Sequence, residues 1–424
     1  MYLYRAMWGM KTIDYIGDKY KRTLHFIKYI SITVGFALMG FMVYLLIKNI
    51  YIYVSFPEIT KIIKAPPVAP LIPYFPKLYG MESFFPPFYF TYFIIALGII
   101  AITHEFSHGI FMKLFNVKIK STGFAFFGPF LGAFVEEDKN SFTKKSNLSQ
   151  MSILSAGAFA NILTALVFFL LLILFFYTSF CAGGYMFNTY TYSIIPANET
   201  TMINKTGLSN MSALNYNNKT YYLDGALASQ LEKNMSYIVA YEETPALLNG
   251  IKGIIIQIDN KKISDREDMQ EFMEKTEPNQ TVNIKMLYQD NVKDYEITLA
   301  ENPSNSSLGY VGVGFLNSKS SGIMAKIISL LNFKKPSTYY VPAFDGNFIY
   351  FIYYLLWWVA LISALVGLFN MLPLGILDGG RFFYLFVFSI TKSEKFSKIA
   401  FKIISTLILL VFLFLTLFWF YRLF

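Results

Sequence analysis

The sequence predicts a polytopic α-helical membrane protein, with about five to six transmembrane helices and an inserted extracytoplasmic α+β domain. Composition gives the first indication, because 55% of the 424 residues are hydrophobic and only 15% are charged. The mean hydropathy of +0.44 is also typical of an integral membrane protein and not of a soluble domain of this length. The second indication is a series of long apolar spans, with a polar stretch between the third and the fourth.

Each apolar span has the length of about 20 residues or more that a helix needs to cross a hydrocarbon core of about 30 Å. The five spans are residues 27–54, 88–115, 151–180, 348–372 and 399–420. A further apolar stretch at residues 382–390 is too short to cross alone. We expect this stretch to continue from the fourth span as a bent or broken helix.

Basic residues in the short loops predict the orientation of the spans. Lysine and arginine are concentrated in the N-terminal arm, in the loop after the second span and before the last span. If the spans alternate, these three places lie on one side of the membrane, which the positive charge makes cytoplasmic. We therefore expect a multi-pass protein of the cell membrane with a cytoplasmic N-terminus. The net charge of +9 follows from this topology, so it does not indicate binding to nucleic acid.

The predicted topology divides the chain into six segments. They are an N-terminal arm with the first transmembrane helix (1–56), a membrane core with the second and third spans (57–182), an extracytoplasmic elaboration of uncertain fold (183–236), a compact module (237–316), a membrane core with the fourth span (317–392), and a C-terminal transmembrane helix (393–424). The chain has a single cysteine, so no internal disulfide can form. The external part must therefore be stabilised by packing alone.

Two histidines and a glutamate follow the charge-free part of the second span. Residues 88–103 have no charged side chain, and His104, Glu105 and His108 come directly afterwards. An ionisable group at bilayer depth costs about 2.5–3.5 kcal/mol on insertion scales, so this cluster requires a functional reason. At about 100° per residue, positions i and i+4 share one helix face, so His104 and His108 can bind one metal ion. Glu105 lies beside them, where it can act as a general base without being a ligand.

Zinc suits this arrangement because it lowers the pKa of a bound water to about 7 and so supplies a nucleophile at neutral pH. The alternative is that the three residues are ordinary helix residues, because the same five-residue pattern occurs by chance in soluble helices. The chain has only three histidines, and two of them form this pattern in a span that should exclude them. A metal site is therefore the favoured interpretation.

A third candidate ligand lies at the end of the fourth span, in the motif NMLPLGILDGGR at residues 370–381. Asp378 is the only acidic residue between Asp345 and Glu394, so it is the carboxylate of this apolar region that could reach a metal ion. Pro373 and the glycines should break the helix here. Broken backbone at membrane depth is tolerated where it is buried in protein or lines a wet cavity. Taken alone, the motif also fits a helix end with a capping aspartate, but the two histidines favour a metal site.

A compact α+β module is predicted at residues 237–316. An apolar strand at residues 254–258 precedes a polar turn, a helix over residues 265–275 with Ser264 as its cap, and two strands of alternating polarity. This order of strand, turn, helix and hairpin resembles a PDZ domain, and PDZ domains bind extended peptides by adding a strand to a sheet edge. The alternative is a small α+β spacer without a ligand.

The two motifs, with a PDZ-like insertion between them, resemble the site-2 protease family of intramembrane zinc metalloproteases, in its PDZ-containing prokaryotic or archaeal type. The resemblance extends over about residues 88–388. It implies Zn2+ as the cofactor, His104, His108 and Asp378 as its ligands, and Glu105 as the catalytic base. It also implies that Asn370 holds the substrate backbone or the developing oxyanion, a role suited to a preorganised amide donor.

Two further segments fit the family less completely. Residues 117–136 resemble its re-entrant β element, which is proposed to pair with an unwound substrate strand, but their imperfect alternation fits a simple membrane-surface loop almost as well. Residues 155–161 resemble a motif of the next span, although Ala158 stands where the family usually has proline. Small residues there allow close approach of helices. We expect Asn161 to reach toward the site as a second contact for the substrate or the oxyanion.

The sequence therefore predicts an endopeptidase that hydrolyses peptide bonds in transmembrane segments of membrane proteins, for regulated intramembrane proteolysis. Its expected partners are transmembrane substrates, the lipid bilayer and peptide tails at the PDZ-like module. The rival hypothesis is a non-proteolytic receptor or scaffold with a structural metal site, but such a closed site has no use for an unligated Glu105. A metal transporter is a third hypothesis, but the spans contain too few acidic residues and histidines to line a path.

Overall fold

The computed structural model describes residues 2–6, 8–56, 66, 68, 71–127, 130–203, 208, 211–224, 236–289, 291–314, 326, 329 and 331–423. The chain divides into two compact units. The first consists of Met1–Phe176 and Asn347–Phe424, and the second of Tyr177–Gly346. The first unit is mainly helical and the second mainly β-structure.

The helices and strands follow one another in three groups. The chain begins with β1 (Tyr2–Ala6), α1 (Trp8–Lys19), α2 (Lys21–Ser55), α3 (Phe75–Leu78), α4 (Phe90–Leu114), β2 (Ile119–Phe127), β3 (Phe130–Glu137), α5 (Lys139–Thr143) and α6 (Asn147–Ser179). It continues with β4 (Phe180–Met186), β5 (Thr189–Tyr190), β6 (Tyr192–Pro196), β7 (Thr201–Ile203), β8 (Met211–Tyr216), β9 (Lys219–Asp224), β10 (Tyr237–Glu242), α7 (Pro245–Leu248), β11 (Ile254–Ile258), β12 (Lys261–Lys262), α8 (Arg266–Met273), β13 (Thr281–Tyr288), β14 (Asn291–Thr298), β15 (Ala300–Asn302), β16 (Asn305–Tyr310), β17 (Val313–Gly314) and β18 (Thr338–Pro342). It ends with α9 (Gly346–Asn370), α10 (Asp378–Thr391) and α11 (Glu394–Leu423).

Within the described residues, five helices are long and apolar enough to cross a membrane, namely α2, α4, α6, α9 and α11. Each lies on one of the five apolar spans of the sequence, so the predicted spans are confirmed. The shorter apolar stretch belongs to α10, which begins at Asp378 after a break between residues 371 and 377. The fourth span and this stretch therefore form two separate helices, as a broken helix requires.

The first unit also contains a three-stranded antiparallel sheet in the order β1-β2-β3. Strands β2 and β3 form a hairpin in which Phe127 pairs with Phe130, while Gly128 and Pro129 lie outside the described residues. The segment that the sequence left as either a β element or a surface loop is thus a β-hairpin. The pairing of β1 with β2 was not expected, and it requires Gly123, because a side chain there would collide with the carbonyl oxygen of Tyr4.

Packing holds both ends of α4. At its C-terminal end, Gly109 lies so close to Ile13 of α1 that an added Cβ would be 2.6 Å from the Cδ1 atom of that side chain. Lys113 of α4 also forms an ion pair of 2.9 Å with Asp14 of α1. Near its N-terminal end, Phe88 stacks on Trp358 of α9 with 4.0 Å between ring centroids. These contacts fix the helix that carries the two histidines.

The second unit contains two large sheets with separate cores. One has the strand order β14-β13-β11-β4-β18, with β12 paired to β11, and the other has the order β6-β10-β9-β8-β7. The core of the first sheet includes Ile255, Ile258 and Ile284, and the core of the second includes Leu214 and Leu223.

The sheet pairing corrects the expected boundary at residue 237. Strand β10 begins at this boundary but pairs with β6 and β9, so the boundary falls within a sheet. Strand β4 (Phe180–Met186) crosses the boundary expected at residue 183, and it pairs with β11 of the predicted module. The sequence could not show this, because alternation identifies a strand but not its partner. The boundaries expected at residues 57 and 316–317 lie outside the described residues.

The helix of the predicted module begins one residue later than expected. Asp265, and not Ser264, is the N-cap of α8, because its Oδ1 accepts a hydrogen bond of 3.1 Å from the backbone N–H of Asp268. Lys335 forms an ion pair of 3.3 Å with the same carboxylate. Burial raises the pKa of Asp265, but the Asp268 N–H and Lys335 outweigh it and hold this pKa below its usual value.

Candidate metal centre

The two histidines of α4 point their ring nitrogens at each other. Their Nε2 atoms are 3.1 Å apart, and both side chains are buried, with residue exposures of 9% for His104 and 7% for His108. This follows from their spacing, because residues four apart lie one above the other on a helix face. Two nitrogen lone pairs can therefore converge on one point.

Asp378 completes this group from the first turn of α10. Its Oδ2 atom lies 3.2 Å from Nε2 of His104 and 3.3 Å from Nε2 of His108. The glycines that follow explain how α10 comes so close to the preceding chain. A side chain at Gly379 would collide with the backbone of Met371, and one at Gly380 would collide with the backbone of Leu374. The double glycine thus allows the turn that presents Asp378.

The three atoms fit a zinc ion. A tetrahedral zinc site with ligand bonds of about 2.0–2.1 Å separates its ligand atoms by about 3.3–3.4 Å, and the observed separations are 3.1, 3.2 and 3.3 Å. Three protein ligands leave one tetrahedral position open, which is typical of catalytic zinc sites. These residues are a group of potential metal ligands within 4.8 Å of one another in the part of the chain that the structure describes.

Glu105 lies beside the three ligands and is held by the β-hairpin. Its Oε2 atom accepts a hydrogen bond of 3.0 Å from the backbone N–H of Val135 in β3. On its other side, Val135 is paired with Thr122 of β2. The edge of β3 therefore faces α4 and fixes the carboxylate next to the histidines, while Glu105 is not a member of the ligand group.

Helix α6 contacts both histidines. The Nδ1 atom of His108 lies 2.7 Å from the backbone oxygen of Ile153, and Nδ1 of His104 lies 3.0 Å from the amide of Asn161. Between these two contacts, a Cβ on Gly157 would lie 2.6 Å from Nε2 of His104 and even closer to Nε2 of His108. Sequence reasoning missed Ile153 and Gly157, although the run of small residues indicated a close approach.

The two asparagines of the candidate site have different surroundings. Asn161 is fully buried, and the structure places it against His104. Asn370 is the last residue of α9 and is half-buried. Its side-chain amide has no hydrogen-bond partner among the described residues. The structure thus brings Asn161 to a ligand and leaves the amide of Asn370 available.

An ion pair connects the aspartate motif to the β-hairpin. The guanidinium of Arg381 in α10 lies 3.0 Å from a carboxylate oxygen of Glu137 at the end of β3. It also lies over the ring of Phe142, 3.9 Å from the ring centroid. Since β3 holds Glu105 and α10 carries Asp378, these contacts link the candidate base to the third ligand.

Comparison with known proteins identifies a matching family and a relative. The sequence profile of peptidase family M50 matches residues 92–415, a range that includes every residue of the candidate centre. The relative is "Uncharacterized protein MJ0971" of Methanocaldococcus jannaschii, which is 27% identical over 288 residues. The aligned part covers 68% of this chain and 54% of the relative. The chain therefore spans about half the length of the curated relative that it matches.

Proposed function

The chain belongs to peptidase family M50, the site-2 protease family, and we propose that it is a zinc-dependent endopeptidase that cleaves peptide bonds within transmembrane segments of other proteins. The observation that carries this proposal is the convergence of His104, His108 and Asp378, with ligand atoms 3.1–3.3 Å apart. The two histidines lie on a helix apolar enough to span a membrane. An open catalytic zinc site in that position favours hydrolysis in or beside the bilayer.

His104, His108 and Asp378 would hold the zinc ion. When bound, zinc supplies a Lewis acid and lowers the pKa of a water molecule, which makes a nucleophile available at neutral pH. Glu105 accepts a proton from the attacking water as its oxygen adds to the peptide carbonyl. The same carboxyl then protonates the amine when the carbon–nitrogen bond breaks. The Val135 N–H keeps the carboxylate beside the ligands.

The β-hairpin and Asn370 would position the substrate. A peptide bond in a helix has its carbonyl hydrogen-bonded within the helix, so the substrate must unwind locally before water can attack. We propose that the unwound segment lies along the hairpin sheet. The side-chain amide of Asn370 would donate to the carbonyl oxygen as it gains negative charge. This amide has no competing partner among the described residues.

The second unit and the membrane orientation are further parts of the proposal. The strand, helix and hairpin formed by β11, α8, β13 and β14 support a PDZ-like module that binds peptide tails. The basic loops support a cytoplasmic N-terminus and an extracytoplasmic second unit. Recognition of tails outside the cytoplasm would fit regulated intramembrane proteolysis of membrane proteins.

Cleavage of a membrane-embedded test peptide by the purified full-length protein tests the proposed function. We expect the wild-type protein to cleave the peptide and to lose activity in a strong chelator, with recovery on addition of Zn2+. Glu105→Gln and Asp378→Asn should both be inactive. Glu394→Gln is a matched control, because this exposed carboxylate lies at the start of α11 and outside the ligand group. Equal cleavage by the wild type, Glu105→Gln and Asp378→Asn would refute the residue assignment. Full activity of the wild type in chelator would refute the role of zinc.

A further inference from the structure

Three positions of α6 face the candidate metal centre at a regular spacing. Ile153, Gly157 and Asn161 are each four residues apart, so they lie on one stripe of the helix. Ile153 contacts the ring of His108, Asn161 contacts the ring of His104, and Gly157 lies between them against both rings. The two helices run in opposite directions here, because the earlier residue of α6 meets the later histidine of α4.

The contact with Ile153 fixes the protonation of the neutral His108 ring. A backbone carbonyl oxygen can only accept a hydrogen bond, so Nδ1 of His108 must donate across the 2.7 Å that separates it from this oxygen. In the neutral ring, Nε2 then carries no proton. Its lone pair faces Asp378 and is free to bind a metal ion.

The contact with Asn161 can serve His104 in the same way. The amide nitrogen is placed 3.0 Å from Nδ1 of His104, while Oδ1 is buried without a hydrogen-bond partner in the described part of the chain. The oxygen and nitrogen of an amide have nearly the same shape, and hydrogen-bond chemistry decides which is which. Exchanging them gives the buried oxygen a donor, the Nδ1 proton of His104, and leaves Nε2 unprotonated toward the other ligands.

We propose that Asn161 is a positioning residue for the metal centre and that its amide oxygen accepts a hydrogen bond from Nδ1 of His104. Together with the Ile153 carbonyl, it makes α6 the support that sets the same tautomer in both histidines and aims both Nε2 atoms at one point. Gly157 gives the space for this arrangement. The inference rests on the proposed zinc site, and it gives Asn161 a different role from contact with the substrate or the oxyanion.

Zinc affinity of the purified full-length protein tests this inference without proteolysis. The apo protein is titrated with Zn2+ against a chromophoric chelator, and its folding is followed by thermal melting. Asn161→Leu removes the acceptor at similar volume and should lower the affinity about 10–100-fold, as loss of a hydrogen bond to a ligating histidine does elsewhere. Asn161→Asp keeps an acceptor and removes the amide donor, so it should bind zinc within about threefold of wild type.

Thr164→Val is the matched control for the titration. Thr164 is buried on the next turn of α6, and its hydroxyl donates to Ala160 of the same helix, so this variant should bind zinc as the wild type does. If Asn161→Leu also binds zinc like the wild type, the inference is wrong. It is equally wrong if Asn161→Asp folds and binds as weakly as Asn161→Leu, because the amide N–H would then be the essential group.

Imidazole nitrogen-15 NMR of the zinc-loaded protein gives an independent signature, since the chain has only three histidines. The wild type should show slowly exchanging Nδ1 protons for both His104 and His108. Asn161→Leu should lose the slow exchange of His104 alone, because His108 keeps its bond to Ile153. Slow exchange of both protons in this variant would overturn the inference even if Asn161→Asp does not fold. A wild-type protein that binds no zinc would instead contradict the proposed function.

Discussion

Helices α4 and α6 meet at the candidate metal centre but contribute to it in opposite ways. Helix α4 provides functional side chains, namely His104, Glu105 and His108. Helix α6 provides a backbone carbonyl at Ile153, the polar side chain of Asn161 and, at Gly157, the space left by the absence of a side chain. One helix thus carries the chemistry and the other determines where the ligands point.

This difference explains why the role of α4 can be predicted from the sequence more easily than the role of α6. A ligand must have a particular side chain, so its identity and spacing are visible. A supporting carbonyl belongs to any residue, and a clearance requires only the absence of a side chain. The predictions below separate loss of chemistry on α4 from loss of support on α6 and α10.

The largest effects should come from α4, and the two kinds of residue on it should differ. His108→Ala removes a ligand and should abolish stoichiometric zinc binding. Glu105→Gln should keep zinc and lower kcat/KM for a membrane-embedded peptide about 10²–10⁴-fold, because the proton transfer loses its base. Metal analysis of the purified variants beside the cleavage assay distinguishes them. Loss of zinc from Glu105→Gln would make this residue a ligand and break the division of roles.

A methyl group on α6 should be nearly as damaging as the loss of a ligand. In Gly157→Ala the new Cβ would occupy space within 2.6 Å of His104 Nε2, so the rings must move apart. We expect zinc affinity to fall at least about 100-fold while the protein remains folded. Gly40→Ala in α2 is the matched control, because no atom lies within 4 Å of a Cβ there. Unchanged zinc affinity in Gly157→Ala would show that α6 is not a close support.

Much of the centre could be predicted because its signals are local. The five spans follow from hydropathy, and His104 and His108 follow from their spacing in a charge-poor span. Asp378 could be singled out although it is far away in the sequence, because no other carboxylate is available in its apolar region. In each case, a membrane environment makes a polar residue conspicuous.

The rest depends on partners that are distant in the sequence. The pairing of β1 with β2 joins residues 2–6 to residues 122–126, and nothing in either segment specifies the other. In the second unit, β4 pairs with both β11 and β18. These pairings also have no sequence signal, so the expected domain boundary was misplaced. The contact of Glu105 with the backbone of Val135 also has no sequence signal, because every residue except proline has an N–H group.

The turn that presents Asp378 should be disturbed by a side chain added at one of its glycines and not by a side chain added at another. Gly379→Ala would bring a Cβ against the backbone of Met371, so the turn before Asp378 must open. We expect the free energy of unfolding to fall by about 1–3 kcal/mol, as overpacking usually does, and zinc binding to weaken. In Gly375→Ala the nearest atom, on Phe401, is 3.6 Å from the new Cβ, which is an ordinary contact. Equal melting temperatures and zinc affinities of the two variants would contradict this role of Gly379.

The smallest effect should come from the ion pair between Arg381 and Glu137. Their side chains are 36% and 22% exposed, so solvent screens much of the attraction, and we expect a coupling energy of about 1 kcal/mol or less. A double-mutant cycle with Arg381→Gln and Glu137→Gln isolates this energy from the packing of Arg381 on Phe142. The pair joins α10 to β3, so breaking it should also lower kcat without removing zinc. A coupling energy of zero with unchanged kcat would show that the β-hairpin and α10 are positioned independently of each other.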